Sequence, residues 1–227
     1  MKRAWIPLYI DPTGMRVAVL GGGQLGERRA KMFAEAGAKV RVYALRFTDS
    51  LQQYADRYKI ELFKTDLLQE SNLLEAIKWA DLVVIATGVD VIDRKAVVYA
   101  RKMRKLVNNG VDAEKGNVIV PFQGETSYGL RFAVTSLGET GIAARIARDR
   151  IRKCLEDSSL ATMYRVMARI KKYMKTNIKD AKQRLPLYFV IEEDKVFQRY
   201  VSQGEEEKAF TRALEIISNS ISYPDRE

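Results

Sequence analysis

Three consecutive glycines, Gly21-Gly22-Gly23, stand between a short β-branched apolar run, Arg16 to Leu20, and a segment with helical spacing that starts at Gln24. With Gly26 they complete a G-x-G-x-x-G motif, which constrains the fold more than any other feature of the chain. The first glycine, Gly21, permits a tight turn. The second, Gly23, lets the backbone approach a pyrophosphate, and the third, Gly26, lets helix and strand pack closely. The start of the helix adds free amides and the positive end of a dipole, both suited to phosphate. A glycine-rich turn without a ligand has the same composition. The setting inside a strand–helix–strand unit favours the nucleotide.

That unit repeats. Strands are predicted at Arg16–Leu20, Lys39–Tyr43, Ile60–Phe63, Leu82–Ala86 and Lys105–Asn108, from apolar or alternating runs. Helices are predicted between them at Gln24–Ala36, closed by Gly37, then at Ser50–Tyr58, Ser71–Trp79 and Val91–Lys102. Alternation at this spacing implies an α/β fold with a Rossmann-type parallel sheet. After Asn109 the rhythm changes. Asn117–Phe122 and Leu130–Thr135 read as two strands of a small separate sheet. From Gly141 the chain reads as helical, with breaks near Asp157-Ser158-Ser159, Pro186 and Gly204, and a fraying tail from Ser218. The expected division is a nucleotide-binding domain over 1–113, a small β-containing dimerisation segment over 114–140 and a helical domain over 141–227.

Composition removes whole classes of chemistry. The 227 residues include no histidine, so a Ser-His-Asp triad, a histidine-ligated metal site and an imidazole base are all excluded. Proton transfer falls to a carboxylate, lysine, tyrosine or water. The single cysteine, Cys154, cannot form an internal disulfide and reads as a half-buried helix residue. The opening residues do not resemble a signal peptide, and no apolar run reaches membrane-spanning length, so a soluble cytoplasmic protein is expected. The net charge of +10 suits a polyanionic partner. Much of it lies on helices with acids nearby, as at Arg148-Asp149-Arg150, where a solvated face is the plainer reading. No nucleic-acid recognition motif accompanies the charge.

A Rossmann domain specific for NAD normally carries an acid at the end of its second strand, for the ribose hydroxyls. Here that strand runs Val40 to Arg46 without one. Arg46 suits a 2′-phosphate, hence NADP, or else is a surface cation. The sequence leaves NAD against NADP open.

Several segments in order resemble the precorrin-2 dehydrogenase family, the dehydrogenase–chelatase part of siroheme synthase. They are Ile6-Pro7-Leu8-Tyr9-Ile10; Val19 to Gly23 followed by Glu27-Arg28-Arg29-Ala30 and Glu35-Ala36-Gly37-Ala38; Leu82 to Thr87; Val111-Asp112-Ala113 before Ile119-Val120-Pro121; and Ala133 to Ser136 before Ala144-Arg145 and Arg150. The likeness covers about residues 6 to 156. The chain departs from the family at Leu137 to Gly141 and at Gly88-Val89-Asp90.

The resemblance implies NAD-dependent oxidation of precorrin-2, an acidic tetrapyrrole, to sirohydrochlorin, with insertion of ferrous iron in some members. It implies cofactor contacts at Gly21, Gly23, Gln24, Leu25, Gly26, Leu45, Arg46, Thr87 and Gly88, and a catalytic carboxylate at Asp112. It also implies a homodimer, paired through the middle segment, and places Ser136 near the active site. The chemistry of the residues agrees, since a carboxylate just past the fifth strand could take the proton while the cofactor takes the hydride. An ordinary turn aspartate after Gly110 remains the other reading of Asp112. The substrate has eight carboxylates, so Arg28, Arg29, Arg145 and Arg148 are candidate contacts on charge alone. No residue is assigned to a resident metal. The competing class is a non-catalytic nucleotide-sensing Rossmann module, which would need no proton acceptor.

Overall fold

A computed structural model describes residues 4–222. Five parallel strands form one sheet: β1 (Arg16–Leu20), β2 (Lys39–Ala44), β3 (Glu61–Lys64), β4 (Leu82–Ile85) and β5 (Leu106–Asn109). Their order is β3-β2-β1-β4-β5. The order reverses between β1 and β4, and the crevice at such a reversal is where α/β sheets bind ligands. Four helices join the strands: α1 (Gln24–Glu35), α2 (Asp49–Tyr58), α3 (Glu70–Trp79) and α4 (Asp90–Lys102). The expected elements are all present, with ends moved by one or two residues.

The central strands are buried on both faces, which is why they read as unbroken apolar runs. Val17 and Val19 pack with Ala30, Val40, Val42 and Leu51 on one face of the sheet. Ala18 and Leu20 pack with Leu73, Ile77, Val83 and Ala96 on the other. At the amino edge, Arg16 clamps β1 to β4. Its Nε and Nη2 donate to the Asp81 carboxylate at 3.1 and 2.7 Å, and its backbone N–H at 3.0 Å.

The region after β5 differs from expectation. Asn117 and Val118 both donate to the Val107 carbonyl, and the Asn117 side chain accepts from the Val107 N–H. These residues are tied to β5 by two N–H groups sharing one carbonyl and by a side chain, not by a ladder, so Asn117–Phe122 is not a strand. Pro121 also lacks a donor for one. The hairpin lies further on, as β6 (Phe122–Glu125) and β7 (Arg131–Val134), an antiparallel pair.

The chain forms two compact units: the residues up to Pro121 with Thr135–Gly141, and Phe122–Val134 with the residues from Ile142 on. The expected 114–140 segment is therefore divided between them. In the second unit the hairpin accompanies α5 (Gly141–Leu155), α6 (Ser158–Asn177), α7 (Ala181–Glu193), α8 (Lys195–Ser202) and α9 (Glu206–Ser222). The hairpin tip is anchored there: Ser127 donates through N–H and Oγ to Glu156, and the Tyr128 hydroxyl to the Leu155 carbonyl. The core consists of Val166, Ile170, Met174, Ile191, Phe197 and Ala213 with their neighbours.

Asp157, Asp180 and Asp194 each cap a helix by accepting backbone N–H bonds. The first and the bend at Gly204 are the expected breaks. Pro186 is not one, for it lies inside α7. Burial of Leu187 and Ile191 holds that helix through the lost hydrogen bond. Cys154 is exposed, not half-buried, because most of α5 is solvated. The tail continues α9 to Ser222, and 223–227 lie outside the described residues. Among the described residues no helix is long and apolar enough to cross a membrane.

Hydrogen bonds from the Arg16 guanidinium and then from its backbone N–H, with charge adding less, lower the Asp81 carboxyl to about 2. A lowered folded-state value adds stability above the unfolded value of about 3.9 that is lost as pH falls. Asp81→Asn is expected to lower stability by about 0.2–1 kcal/mol at neutral pH, the range for a partly exposed pair. The difference should close as pH falls from about 4 toward 2, measured by urea unfolding at each pH.

Candidate functional site

The carboxyl edge of the sheet brings four loops of the first unit together. The glycine loop leaves β1 with Gly21 at φ +116°, a conformation closed to other residues without strain. A Cβ on Gly21 would lie 2.3 Å from the Ala86 carbonyl oxygen, and one on Gly22 would lie 2.2 Å from that of Arg46. On Gly26 it would lie 2.0 Å from the Gly21 carbonyl oxygen. These three are glycine because backbone presses on backbone. Gly23 is different. Its Cβ would meet nothing within 4 Å, and its φ of −80° suits any residue.

Gly23 is the N-cap of α1 and has no side chain to cap with, so the first amides of the helix have room for an anion. The loop after β2 is fastened beside it. The Thr48 N–H donates to the Gly22 carbonyl at 3.1 Å, and the Thr48 hydroxyl to Glu27 at 2.5 Å. Leu45 and Arg46 are exposed on that loop. This open backbone surface fits a dinucleotide pyrophosphate.

Beyond β4 and β5 lies a depression of about 440 Å³, with Gly88, Asp93, Asn109, Asp112, Lys115 and Glu139 in its wall. Asn109, 3% exposed, builds its floor. Its Oδ1 accepts the N–H groups of Val111 and Asp112 at 3.0 and 2.9 Å, which turns the chain and presents the Asp112 carboxylate. Lys115 follows on the 3-10 turn Ala113–Lys115 and pairs with Asp112 at 2.8 Å. Its hydrogen bond, more than its charge, holds the Asp112 carboxyl below the ordinary value. The result is a carboxylate held ionised beside Lys115, an acceptor-only group lining the depression.

The loop from Thr135 to Thr140 closes one side. A Cβ on Gly138 would lie 2.7 Å from that of Ala113, so this loop rests on the 3-10 turn. Ser136 is in the same loop, but its Oγ accepts the Thr140 N–H at 2.8 Å and holds the turn.

The candidates are thus sorted. Gly21, Gly23, Gln24, Leu25, Gly26, Leu45, Arg46, Thr87 and Gly88 all lie at the carboxyl edge, and Asp112 beside them; the Leu25 side chain touches the Gly110 position. Arg28 is exposed on α1. Arg29 is half-buried with its Nε unpartnered, and burial, then the neighbouring Arg28, lowers its affinity for its proton. Arg145 and Arg148 belong to α5 in the second unit. Arg148 is engaged there by Asp149 and the Gln123 carbonyl. Asn109, Lys115 and Asp93 were missed by the sequence reading. The spacing Asn109-x-x-Asp112, an Asx turn, is the signal that could have found the first.

The family described as "Putative NAD(P)-binding" matches residues 8–122. A protein of Methanosarcina barkeri named precorrin-2 dehydrogenase is 29% identical over 228 aligned residues, covering 98% of this chain and 97% of that one. A siroheme synthase of Yersinia pestis is 30% identical over 153 residues, 66% of this chain but 31% of that protein. Among solved structures, the precorrin-2 dehydrogenase SirC shares the fold, with TM-score 0.60 at 16% identity over 96% of this chain and all of that one.

Gly23 separates a ligand role from a folding role. Gly23→Ala is expected to change stability by no more than about 1 kcal/mol, the scale of an N-cap change. It should weaken NAD binding about ten-fold or more, because the added methyl occupies the anion's place. Urea unfolding beside a calorimetric NAD titration checks both.

Proposed function

Since this chain belongs to the precorrin-2 dehydrogenase family, within the NAD(P)-binding proteins, we propose that it oxidises precorrin-2 to sirohydrochlorin with NAD. It is an oxidoreductase of tetrapyrrole biosynthesis. The observation that carries the reading is the pairing of an open glycine cradle with one oriented carboxylate across the end of the sheet. NAD, when bound, supplies the hydride acceptor.

The chain's own residues do the rest. Gly21 to Gly26 receive the pyrophosphate at the start of α1, with Leu45 and Arg46 on the adenosine side and Thr87 and Gly88 on the nicotinamide side. The two hydrogens leave the substrate as a hydride and a proton, and the proton goes to the Asp112 carboxylate. Lys115 keeps that carboxylate ionised, and Asn109 fixes where it points. Arg28, exposed on α1, is the better placed of the first unit's basic candidates to meet a substrate carboxylate, because the Arg29 Nε is buried. Arg145 and Arg148 are basic candidates of the second unit, and the Arg148 guanidinium is already engaged by Asp149 and the Gln123 carbonyl.

Iron insertion is a finer proposal, with ferrous iron as substrate. No group of three or more His, Cys, Asp or Glu among the described residues is arranged to hold a metal. Asp112 and the tetrapyrrole nitrogens would be its ligands. The site of action is proposed to be the cytoplasm, where NAD is available.

We also propose a homodimer formed through the middle segment. Among the described residues the sheet of β6 and β7 has two strands, and neither of its edges is paired. Two strands alone are marginal, so pairing with a second copy would complete them. The mass in solution by light scattering is expected to be twice that of the chain; a monomeric mass would remove this part of the proposal.

For the chemistry, Asp112→Ala is expected to lower the rate of precorrin-2 oxidation about 10²–10⁴-fold. NAD affinity should stay within about two-fold, since Asp112 is assigned to the proton and not to the cofactor. Anaerobic turnover followed by sirohydrochlorin absorbance, beside an NAD titration, tests this. A variant as active as the native chain would leave the carboxylate role without support.

A further inference from the structure

Thr87 ends β4, and its hydroxyl is more constrained than a surface threonine needs to be. Its Oγ1 lies 2.5 Å from Oδ1 of Asp93 and accepts the Val89 N–H at 3.0 Å. Asp93 sits in the first turn of α4 and is only 7% exposed. The helix N-terminus favours a negative charge at that point. The neighbouring carboxylate, Asp90, is exposed and pairs with Arg94 instead.

A hydroxyl has one hydrogen and two lone pairs, and a carboxylate can only accept. Thr87 must therefore give its hydrogen to Asp93. Val89 fills one lone pair. One lone pair remains, on a half-buried group beside Gly88 at the wall of the depression. Thr87 can accept one more hydrogen bond and can donate none.

Strand order says which part of a dinucleotide this group would meet. With the pyrophosphate at α1, the half reaching toward β4 and β5 carries the nicotinamide, as it must to face Asp112. In that half the ribose hydroxyls can donate or accept, so they need no partner of fixed polarity. The carboxamide –NH2 can only donate.

Resting on the cofactor reading above, we propose that Thr87 selects the nicotinamide carboxamide by accepting from its –NH2. Asp93 is the positioning residue that fixes the polarity of Thr87. An acceptor in place of the amine meets a lone pair at Thr87 and the Asp93 charge behind it.

The test titrates the full-length protein, without precorrin-2, with NAD and with its deamido analogue, in which a carboxylate replaces the carboxamide. The native chain is expected to prefer NAD about ten-fold or more, the scale of a lost hydrogen bond plus an unsatisfied group. Thr87→Val should weaken NAD roughly five- to fifty-fold with little effect on the analogue, and Thr87→Ser should restore the preference. Asp93→Ala frees the hydroxyl to rotate and donate, so the preference should narrow to about three-fold or less. Asp90→Ala removes an equal charge without touching Thr87 and should leave the preference within about two-fold of native. A native chain that binds both ligands equally, or a Thr87→Val variant that weakens neither or both alike, overturns the proposal. So does an equal loss of preference in the Asp90 and Asp93 variants. Failure of the folded native chain to bind NAD at all overturns the cofactor reading itself, a separate outcome.

Discussion

The close approach of the backbone at the end of β1 is the constraint on which the first unit depends. Gly21 lies against the Ala86 carbonyl, Gly22 against that of Arg46, and Gly26 against Gly21 itself. No side chain larger than hydrogen fits at any of the three. The same contacts draw the ends of β1, β2 and β4 together, so the loops leaving those strands converge on one place. Gly23, bordering open space, is left as the surface that a ligand can use.

Around this point the polar groups hold one another in fixed orientations. Asn109 holds the amides before Asp112, Lys115 holds its carboxylate, and Asp93 holds the Thr87 hydroxyl. Buried polar groups are costly when unmatched, so each of these contacts both stabilises the edge and fixes where a polar atom points. The wall of the depression nonetheless carries more acids than bases. A polyanionic substrate would find its cations outside that wall, where Arg28 is exposed on α1.

The sequence carried the fold of the first unit almost completely, for a physical reason. Strands such as Val17–Leu20 and Leu82–Ile85 are buried on both faces, and a doubly buried strand reads as an apolar run in any context. The second unit was less legible. Pro186 reads as a break, but burial of Leu187 and Ile191 outweighs its lost bond. At the end of the first unit, Asn117–Phe122 has the composition of a strand, yet Asn117 and Val118 share the Val107 carbonyl while the Asn117 side chain takes the Val107 N–H, an arrangement no local pattern encodes. Cys154 has a helix residue's surroundings in sequence but lies on the solvated side of α5.

The sequence by itself determined the parallel sheet, the glycine loop and the place of Asp112 one turn beyond β5. These follow from short-range sterics and from the periodicity of burial, which neighbouring residues express directly. Only the tertiary structure decided which polar atoms face one another. That Lys115 reaches Asp112, that Asp93 takes the hydrogen of Thr87, and that Ser136 is occupied with Thr140 depend on loops meeting at the edge of a sheet. Hydrogen bonding is directional and short-ranged, so partners are fixed only once the packing of the strands has set the distances.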